Sequence, residues 1–194
     1  MKKIKYPSNN LDQALFFAEL KIGVAPAFEV FNNMTCGCKN SYCPRVGTHP
    51  YIQENSLYGT RNKQKIEEWW TSNPNLNLIL HSGQRSSLLV IDIDLRDNGL
   101  LNFKRLVEDI PSILNTYSVK SGSGGKHLYF NNTKKIKTKV DGIAPGIDVL
   151  GENQFVVSPF SKHKNGSFYM PENNLDISTV PTELYNLLDE RKLI

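Results

Sequence analysis

Two aspartates, Asp92 and Asp94, close an apolar segment of the sequence at residues 88–94. Alternation along a strand would place both carboxylates on one face, about 7 Å apart at roughly 3.4 Å per residue. Two poorly hydrated anions repel each other, and a divalent cation with oxygen ligands would relieve that repulsion. Acidic pairs are also common in ordinary polar turns at strand ends, so this motif alone leaves both interpretations open.

A third carboxylate, Asp148, stands among apolar neighbours in a second strand-like segment at residues 146–151. Three carboxylates on neighbouring strands are the minimum for holding two divalent ions about 3.5–4 Å apart. That arrangement drives in-line phosphoryl transfer, because one ion activates a hydroxyl and both stabilise the transferring phosphate. The prediction requires that the strands carrying the three aspartates converge.

A glycine-rich turn at residues 121–125 precedes Lys126 and His127. Glycines let backbone N–H groups approach an anion closely, and the two side chains would add charge-assisted hydrogen bonds to phosphate oxygens. The turn leads into a strand, so it is neither a P-loop nor a dinucleotide fingerprint, both of which open a helix. Taken alone, it is more typical of a flexible hairpin turn with His127 satisfied by a neighbour.

Three cysteines lie within eight residues, Cys36, Cys38 and Cys43, and His49 follows shortly after. Three thiolates and one imidazole form a standard tetrahedral site for a structural Zn²⁺ ion. A metal would also order the long irregular segment at residues 32–60. The Cys-x-Cys spacing is tighter than usual, and a reduced cluster without metal is the alternative.

Hydrophobic periodicity predicts the helices and strands that carry these motifs. We predict a helix capped by Asn10, one capped by Thr60, one over residues 99–110 and one beginning at Pro181. Strands are predicted over residues 24–31, 76–80, 87–95, 116–120, 126–130, 146–150 and 154–159. Two adjacent hairpins, one around the glycine turn and one turning at residues 151–153, favour an α+β fold with a mixed, largely antiparallel sheet.

Composition limits the class of protein. The chain has 194 residues, of which 39% are apolar, so it can bury the core of one domain. No apolar run approaches the roughly 20 residues that span a bilayer, and the basic N-terminus leads to no apolar segment, so we expect a cytoplasmic protein without a membrane partner. The net charge of +4 permits a nucleic-acid partner without establishing one.

Taken in order, the motifs resemble the prim-pol family of the archaeo-eukaryotic primase superfamily. Asp92 and Asp94 resemble its first motif, residues 122–130 its second and residues 146–149 its third. Residues 155–169 resemble the stretch that follows the third motif, and the resemblance runs from about Gly23 to Tyr169. The cysteine-rich segment before His49 is also similar to the family, with Thr48 in place of a lysine.

The resemblance implies an RRM-like sheet with flanking helices and an added N-terminal α/β unit. It also implies a template-directed nucleotidyltransferase, a DNA polymerase with primase activity, acting on a single-stranded or primed DNA template with dNTP or NTP. Carried over by position, Asp92, Asp94 and Asp148 would hold two Mg²⁺ or Mn²⁺ ions, and His127 would contact the triphosphate. Weaker candidates for phosphate contact are Ser123, Lys126, Lys162 and His163.

We expect residues 1–175 to form the catalytic core and residues 176–194 to form a C-terminal helix or the start of a linker. Family members often join this core to a helical priming domain and a helicase. The resemblance therefore implies a helicase domain or partner and a larger replication protein. It supports chain extension by this chain more than primer initiation.

Two other classes fit part of the pattern. Metal-dependent glycosyltransferases also place Asp-x-Asp after an apolar strand to hold Mn²⁺ and a nucleotide sugar. They leave His127 and Asp148 unexplained, and 194 residues is short for such an enzyme. A non-catalytic nucleic-acid-binding module would keep the fold without the chemistry, which the carboxylates present at all three motifs argue against.

Overall fold

The fold consists of two β-sheets with helices packed against them, in a computed structural model that describes residues 6–51 and 59–194. The smaller sheet has three strands, in the spatial order Val24–Ala27 (β1), Asn77–His81 (β2) and Phe155–Val157 (β8). The larger sheet runs in the spatial order Lys139–Ala144 (β6), Ile147–Leu150 (β7), Leu88–Ile93 (β3), Lys126–Asn131 (β5), Ser118–Lys120 (β4) and Met170–Pro171 (β9). A short strand, Ser178–Thr179 (β10), pairs in parallel with β5, and the other strand pairs of the described ranges are antiparallel. The predicted α+β class with a mixed, largely antiparallel sheet is confirmed.

Four α-helices complete the described part of the chain: Asn10–Glu19 (α1), Lys63–Ser72 (α2), Gly99–Asp109 (α3) and Thr182–Glu190 (α4). None of these helices is long and apolar enough to cross a membrane.

The two predicted N-cap residues, Asn10 and Thr60, do not cap their helices; a nearby asparagine does so in each case. Asn9, not Asn10, caps α1, because its side chain accepts the backbone N–H of Asp12. Likewise Asn62 replaces Thr60 at α2, since the backbone of Thr60 pairs with that of Val24. In both cases the predicted residue is used in tertiary contacts, which local sequence does not reveal.

Two hydrophobic cores enclose the larger sheet. Its central strand, β3, sends Leu88 and Val90 into a core shared with the smaller sheet, α1 and α2. The alternate residues Leu89, Ile91 and Ile93 enter a second core, beneath α3 and α4. Burial on both faces explains why the sequence of β3 is almost continuously apolar.

The hairpin predicted at residues 151–153 is wrong. Strand β7 pairs with β3 and β6, whereas β8 pairs with β2 in the other sheet. The chain crosses between the sheets at this turn, where Ser82 holds it through hydrogen bonds to the carbonyl oxygens of Gly151 and Gln154. Turn residues show where a chain reverses, but not which strands then pair. The hairpin predicted around the glycine turn is confirmed, since β4 pairs with β5.

The predicted strand at residues 24–31 is shorter than expected. Strand β1 ends at Ala27, and the next residues hydrogen-bond to the cysteine-rich segment instead of to another strand of the sheet. The backbone N–H of Phe28 donates to the carbonyl of His49, and that of Gly37 donates to the carbonyl of Glu29. We call residues 28–51 the cysteine loop; residues 52–58 of the predicted 32–60 loop lie outside the described ranges.

Asn77 joins the cysteine loop to a hairpin formed by residues 160–169, here called the 160–169 hairpin. Its Nδ2 donates to the carbonyl oxygens of Gly47 and Lys162, at 2.9 and 2.8 Å. Its Oδ1 accepts the N–H of Lys162 at 2.8 Å. Since Asn77 is buried at the start of β2, it attaches both segments to the smaller sheet.

We expect Asn77→Ala to lower the free energy of unfolding by about 2–3 kcal/mol, because it removes three hydrogen bonds and leaves buried backbone groups unpaired. Urea unfolding followed by circular dichroism measures this loss. The matched control is Asn75→Ala, at an exposed position two residues earlier, which should change stability by less than about 0.5 kcal/mol. Equal stabilities of the two variants would contradict the role assigned to Asn77.

Candidate active site and metal centre

Three adjacent strands of the larger sheet bring the predicted catalytic side chains together. Asp92 on β3 is paired with Asp148 on β7 on one side and with His127 on β5 on the other. Residues paired across antiparallel strands project on the same face with Cβ atoms about 5 Å apart. Asp94 follows the end of β3, where its N–H donates to the carbonyl of Gly146 at 2.9 Å.

Arg96 lies among these carboxylates, although the sequence analysis did not single it out. Its Nε is 3.0 Å from Oδ2 of Asp94, and its Nη2 is 2.5 Å from Oδ1 of Asp148. Nη1 contacts Asp141 at 2.7 Å and Asp97 at 3.2 Å. The guanidinium therefore serves as the counter-ion of the acidic cluster, and its pKa is raised chiefly by the hydrogen bonds to Asp141 and Asp148.

The three predicted metal ligands are neighbours at one end of the sheet, but their carboxylate oxygens do not meet at one point. Among the described residues, Asp92, Asp94 and Asp148 do not form a set whose ligand oxygens all lie within 4.8 Å of one another. The guanidinium of Arg96 bridges two of them, so an organic cation takes up oxygens that a metal would use. The donor set is all carboxylate, the type that Mg²⁺ and Mn²⁺ prefer.

The negative charge of Asp92 is electrostatically unfavourable where that carboxyl group lies. Burial raises the pKa of its carboxyl group to about 8, with further contributions from Asp94 and Asp148 and partial relief from Arg96. Crowded carboxylates with little water favour an added cation. On this observation the residues present fit a divalent metal ion.

His127 is buried beside Asp92, with Nε2 3.4 Å from Oδ1 of that carboxylate. Burial lowers the pKa of the imidazole to about 4, so the ring is neutral near pH 7. The ring lies near Tyr129 and Tyr169, with centroid distances of 6.4 and 5.6 Å. Its Nδ1 is enclosed and has no hydrogen-bond partner among the described residues. A contact to phosphate would therefore be a neutral N–H hydrogen bond, not the charge-assisted bond that the sequence suggested.

The structure separates the two basic residues predicted in the second motif. Lys126 is paired with Ile93 and so faces away from Asp92, and its Nζ forms an ion pair with Glu172 at 2.5 Å. His127 is the next residue and faces Asp92, as successive side chains of a strand alternate. Ser123 lies in the glycine turn, where its hydroxyl hydrogen-bonds to that of Ser121 at 2.9 Å.

A similar separation occurs in the 160–169 hairpin. His163 packs against Gly122 of the glycine turn so closely that a Cβ there would lie 2.2 Å from the Cβ of His163. The His163 ring is 5.9 Å from that of Tyr169, which in turn lies near His127. Lys162 points elsewhere, and its Nζ donates to Oδ1 of Asn32 at 3.0 Å.

The cysteine loop brings its four predicted ligands to one point. The three sulfur atoms of Cys36, Cys38 and Cys43 and a ring nitrogen of His49 all lie within 4.8 Å of one another. The sulfurs of Cys36 and Cys43 are each 3.4 Å from Nε2 of His49. Tetrahedral zinc ligands with bonds of about 2.0–2.3 Å stand about 3.5 Å apart. This Cys₃His group can bind a metal ion such as Zn²⁺.

Local surroundings shift the pKa values of Cys36, Cys38 and His49 in different directions. Burial raises the pKa of the Cys36 thiol to about 11, whereas the backbone N–H of Asn40 lowers that of Cys38. Burial and, to a lesser extent, Arg45 lower the pKa of His49. The lowered pKa of His49 favours the neutral form that coordinates metal, and a bound cation would favour loss of the Cys36 proton.

A search of curated proteins returned no matching relative. A family model described as bifunctional DNA primase/polymerase, N-terminal, matches residues 14–183. That region includes the acidic cluster, His127 and the Cys₃His group. The chain therefore belongs to the prim-pol family of bifunctional DNA primases/polymerases.

Proposed function

We propose that this protein is a template-directed nucleotidyltransferase that extends DNA strands in replication, and starts them, by a two-metal-ion mechanism. The observation that carries the proposal is the register that aligns Asp148, Asp92 and His127 across three adjacent strands. The family match supports a primase/polymerase activity with DNA and nucleotides as substrates. It favours this activity over the glycosyltransferase alternative.

Asp92, Asp94 and Asp148 would hold the Mg²⁺ or Mn²⁺ ions in this proposal. When bound, the ions activate the 3′-hydroxyl of the primer and stabilise the charge on the transferring phosphate. Two of the carboxylates come from adjacent β-strands and the third from the residue after a strand, so the sheet fixes their spacing. Such rigid placement is what in-line transfer requires of its ligands.

His127 would contact the triphosphate of the incoming nucleotide through Nε2. Its Nδ1 is enclosed, so Nε2, next to Asp92, is the nitrogen left for a substrate. A neutral ring in this position donates a hydrogen bond without competing electrostatically with the metal ions. This contact would align the α-phosphorus with the carboxylates.

The glycine turn and His163 would form the outer part of the triphosphate site. The glycine turn, which contains Ser123, packs against His163. This contact lies on the face of the 160–169 hairpin where Tyr169 approaches His127. We assign phosphate contact to Ser123 and His163. We do not include Lys126 and Lys162 in this site, because their Nζ atoms contact Glu172 and Asn32.

We expect Asp92→Asn, Asp94→Asn and Asp148→Asn each to reduce primer extension by at least roughly 100-fold, because each removes a metal-binding charge. The assay uses a labelled primer on a DNA template with Mg²⁺ or Mn²⁺, in separate arms for dNTP, NTP and no primer. Asp109→Asn, at the exposed end of α3, is the matched control. Asp92→Asn should be at least as stable as the parent, since it removes a carboxyl whose pKa is raised by burial. Near-normal extension by any folded variant of the three would refute the assignment.

Arg96→Gln should bind Mn²⁺ roughly 3- to 10-fold more tightly than the parent, because the substitution removes a competing positive charge and frees oxygens of Asp94 and Asp148. Isothermal titration calorimetry or the electron paramagnetic resonance signal of free Mn²⁺ measures this affinity without any turnover. Arg105→Gln, exposed on α3, controls for the change in net charge. Weaker binding by Arg96→Gln would show that the guanidinium and the metal do not compete.

We assign one structural Zn²⁺ to Cys36, Cys38, Cys43 and His49. Protein purified without chelator should contain about one zinc per chain. Cys38→Ser should lower the zinc content and the melting temperature together, while the fraction that remains folded still extends primers. Ser41→Ala is the control within the same loop. A metal-free parent protein with three freely reactive thiols would refute the site.

A further inference from the structure

A cleft of about 500 Å³ lies between the start of α1, the cysteine loop and the 160–169 hairpin. This volume is within the range of roughly 300–1,000 Å³ found for small-molecule sites. The part of its wall that bears on ligand chemistry comprises Glu29, Phe31, Asn32, Asn75, Lys162 and Phe168. None of these residues belongs to the proposed catalytic or triphosphate site.

The 160–169 hairpin separates this cleft from the proposed triphosphate site. Lys162 and Phe168 are paired across the hairpin, so their side chains share a face, and both line the cleft. His163 and Tyr169 are the next residues along the two arms of the hairpin and point to the other face, where the ring of Tyr169 lies near those of His163 and His127. One face of the 160–169 hairpin thus lines the cleft, and the other face lines the proposed triphosphate site.

Two aromatic side chains are left half exposed at the cleft. Phe31 is 46% exposed and Phe168 is 50% exposed, because both rings line the open space of the cleft. Exposed aromatic rings next to a cation are the surface on which bases of single strands stack, and the contact is tolerant of sequence. Asn32, which accepts a hydrogen bond from Lys162, holds the cation in the cleft.

We propose that this cleft binds a nucleotide of a single-stranded nucleic acid, with its base against Phe31 and Phe168 and its phosphate at Lys162. The inference deepens the proposed function, on which it rests in so far as the bound strand is the template. It assigns the template strand to one face of the 160–169 hairpin and the incoming triphosphate to the other.

The charges at the cleft favour a strand over a free nucleotide. Lys162 is the cation among the residues that line it, and Glu29 in the same wall is an anion. One lysine matches the single charge of a phosphodiester, whereas the several charges of a free triphosphate exceed that of Lys162 and would be repelled more strongly by Glu29. The cleft wall is therefore suited to one unit of a polymer.

The test is fluorescence anisotropy of a labelled 16-nucleotide DNA strand titrated with the full chain, without nucleotide or added divalent metal. Phe31→Ala and Phe168→Ala should each weaken binding roughly 5-fold or more, which is the lower end for loss of one base–aromatic stack. Phe168→Leu, which keeps an apolar side chain but no ring, should weaken binding as well. Leu114→Ala, at a hydrophobic residue with 44% exposure elsewhere, should bind like the parent.

Two further arms identify what the cleft recognises. On a strand of abasic sites, the phenylalanine variants should bind like the parent, because no base is present to stack. Lys162→Ala should weaken binding to both strands and reduce the slope of log K against log salt by about 0.7, the value for one phosphate of a single strand. Lys104→Ala, exposed on α3, should leave the slope unchanged.

The proposal is overturned if the phenylalanine variants bind the normal strand like the parent, or lose equal affinity for normal and abasic strands. A raised nucleotide KM in primer extension by Phe168→Ala, with unchanged strand binding, would assign the cleft to free nucleotide and also overturn it. Strand binding is measured without turnover, so an inactive parent protein would contradict the proposed function and leave this result standing.

Discussion

Repulsion among the carboxylates at one end of the larger sheet is the constraint that organises this molecule. Asp92 and Asp148 are directly opposed on adjacent strands, an arrangement that destabilises a sheet unless a cation is near. Arg96 is that cation in the structure described here, and the turn after β3 places its guanidinium beside Asp94 and Asp148. Asp97 has a left-handed backbone, and a Cβ at Gly99 would lie 2.1 Å from the carbonyl oxygen of Asp94. A tight turn of this kind gives up local stability to hold a charge in place, which is typical of functional sites.

The sequence predicted the parts of this site that depend on residue type and order, but not the parts that depend on register. The apolar run of β3 and its acidic end identify a strand buried on both faces, and the structure has that strand. The pairing of Asp92 with Asp148 is set by contacts between segments far apart in the chain, which no local pattern encodes. Arg96 was missed for the same reason: its only local signal is a polar turn, and its role appears when Asp141 and Asp148 arrive from other strands.

Adjacent residues of a motif need not serve one site, and two pairs in this chain show why. Lys126 and His127 are consecutive, as are Lys162 and His163, so extended backbone sends each pair to opposite faces. A motif carried over as a string of letters assigns both members to the phosphate. The structure leaves only the histidine of each pair on the side of the acidic cluster, and Lys162 instead lines a separate cleft.

The Cys₃His group gains a physical role from its connection to the segment that lines the cleft. Cys36 is bridged to Val30, so the segment of the cysteine loop that carries Glu29 and Phe31 in the cleft wall is fixed to the group itself. Asn77 then ties Gly47 of the same loop to Lys162 of the 160–169 hairpin, whose other face carries His163. A metal ion in the group would thus order a wall of the cleft directly and the proposed triphosphate site through one buried amide. The segment needs such a support because it has little regular secondary structure of its own. Sites on irregular backbone keep a defined geometry only when neighbouring groups restrain them, and here the restraints are the metal-ligating cluster on one side and Asn77 on the other.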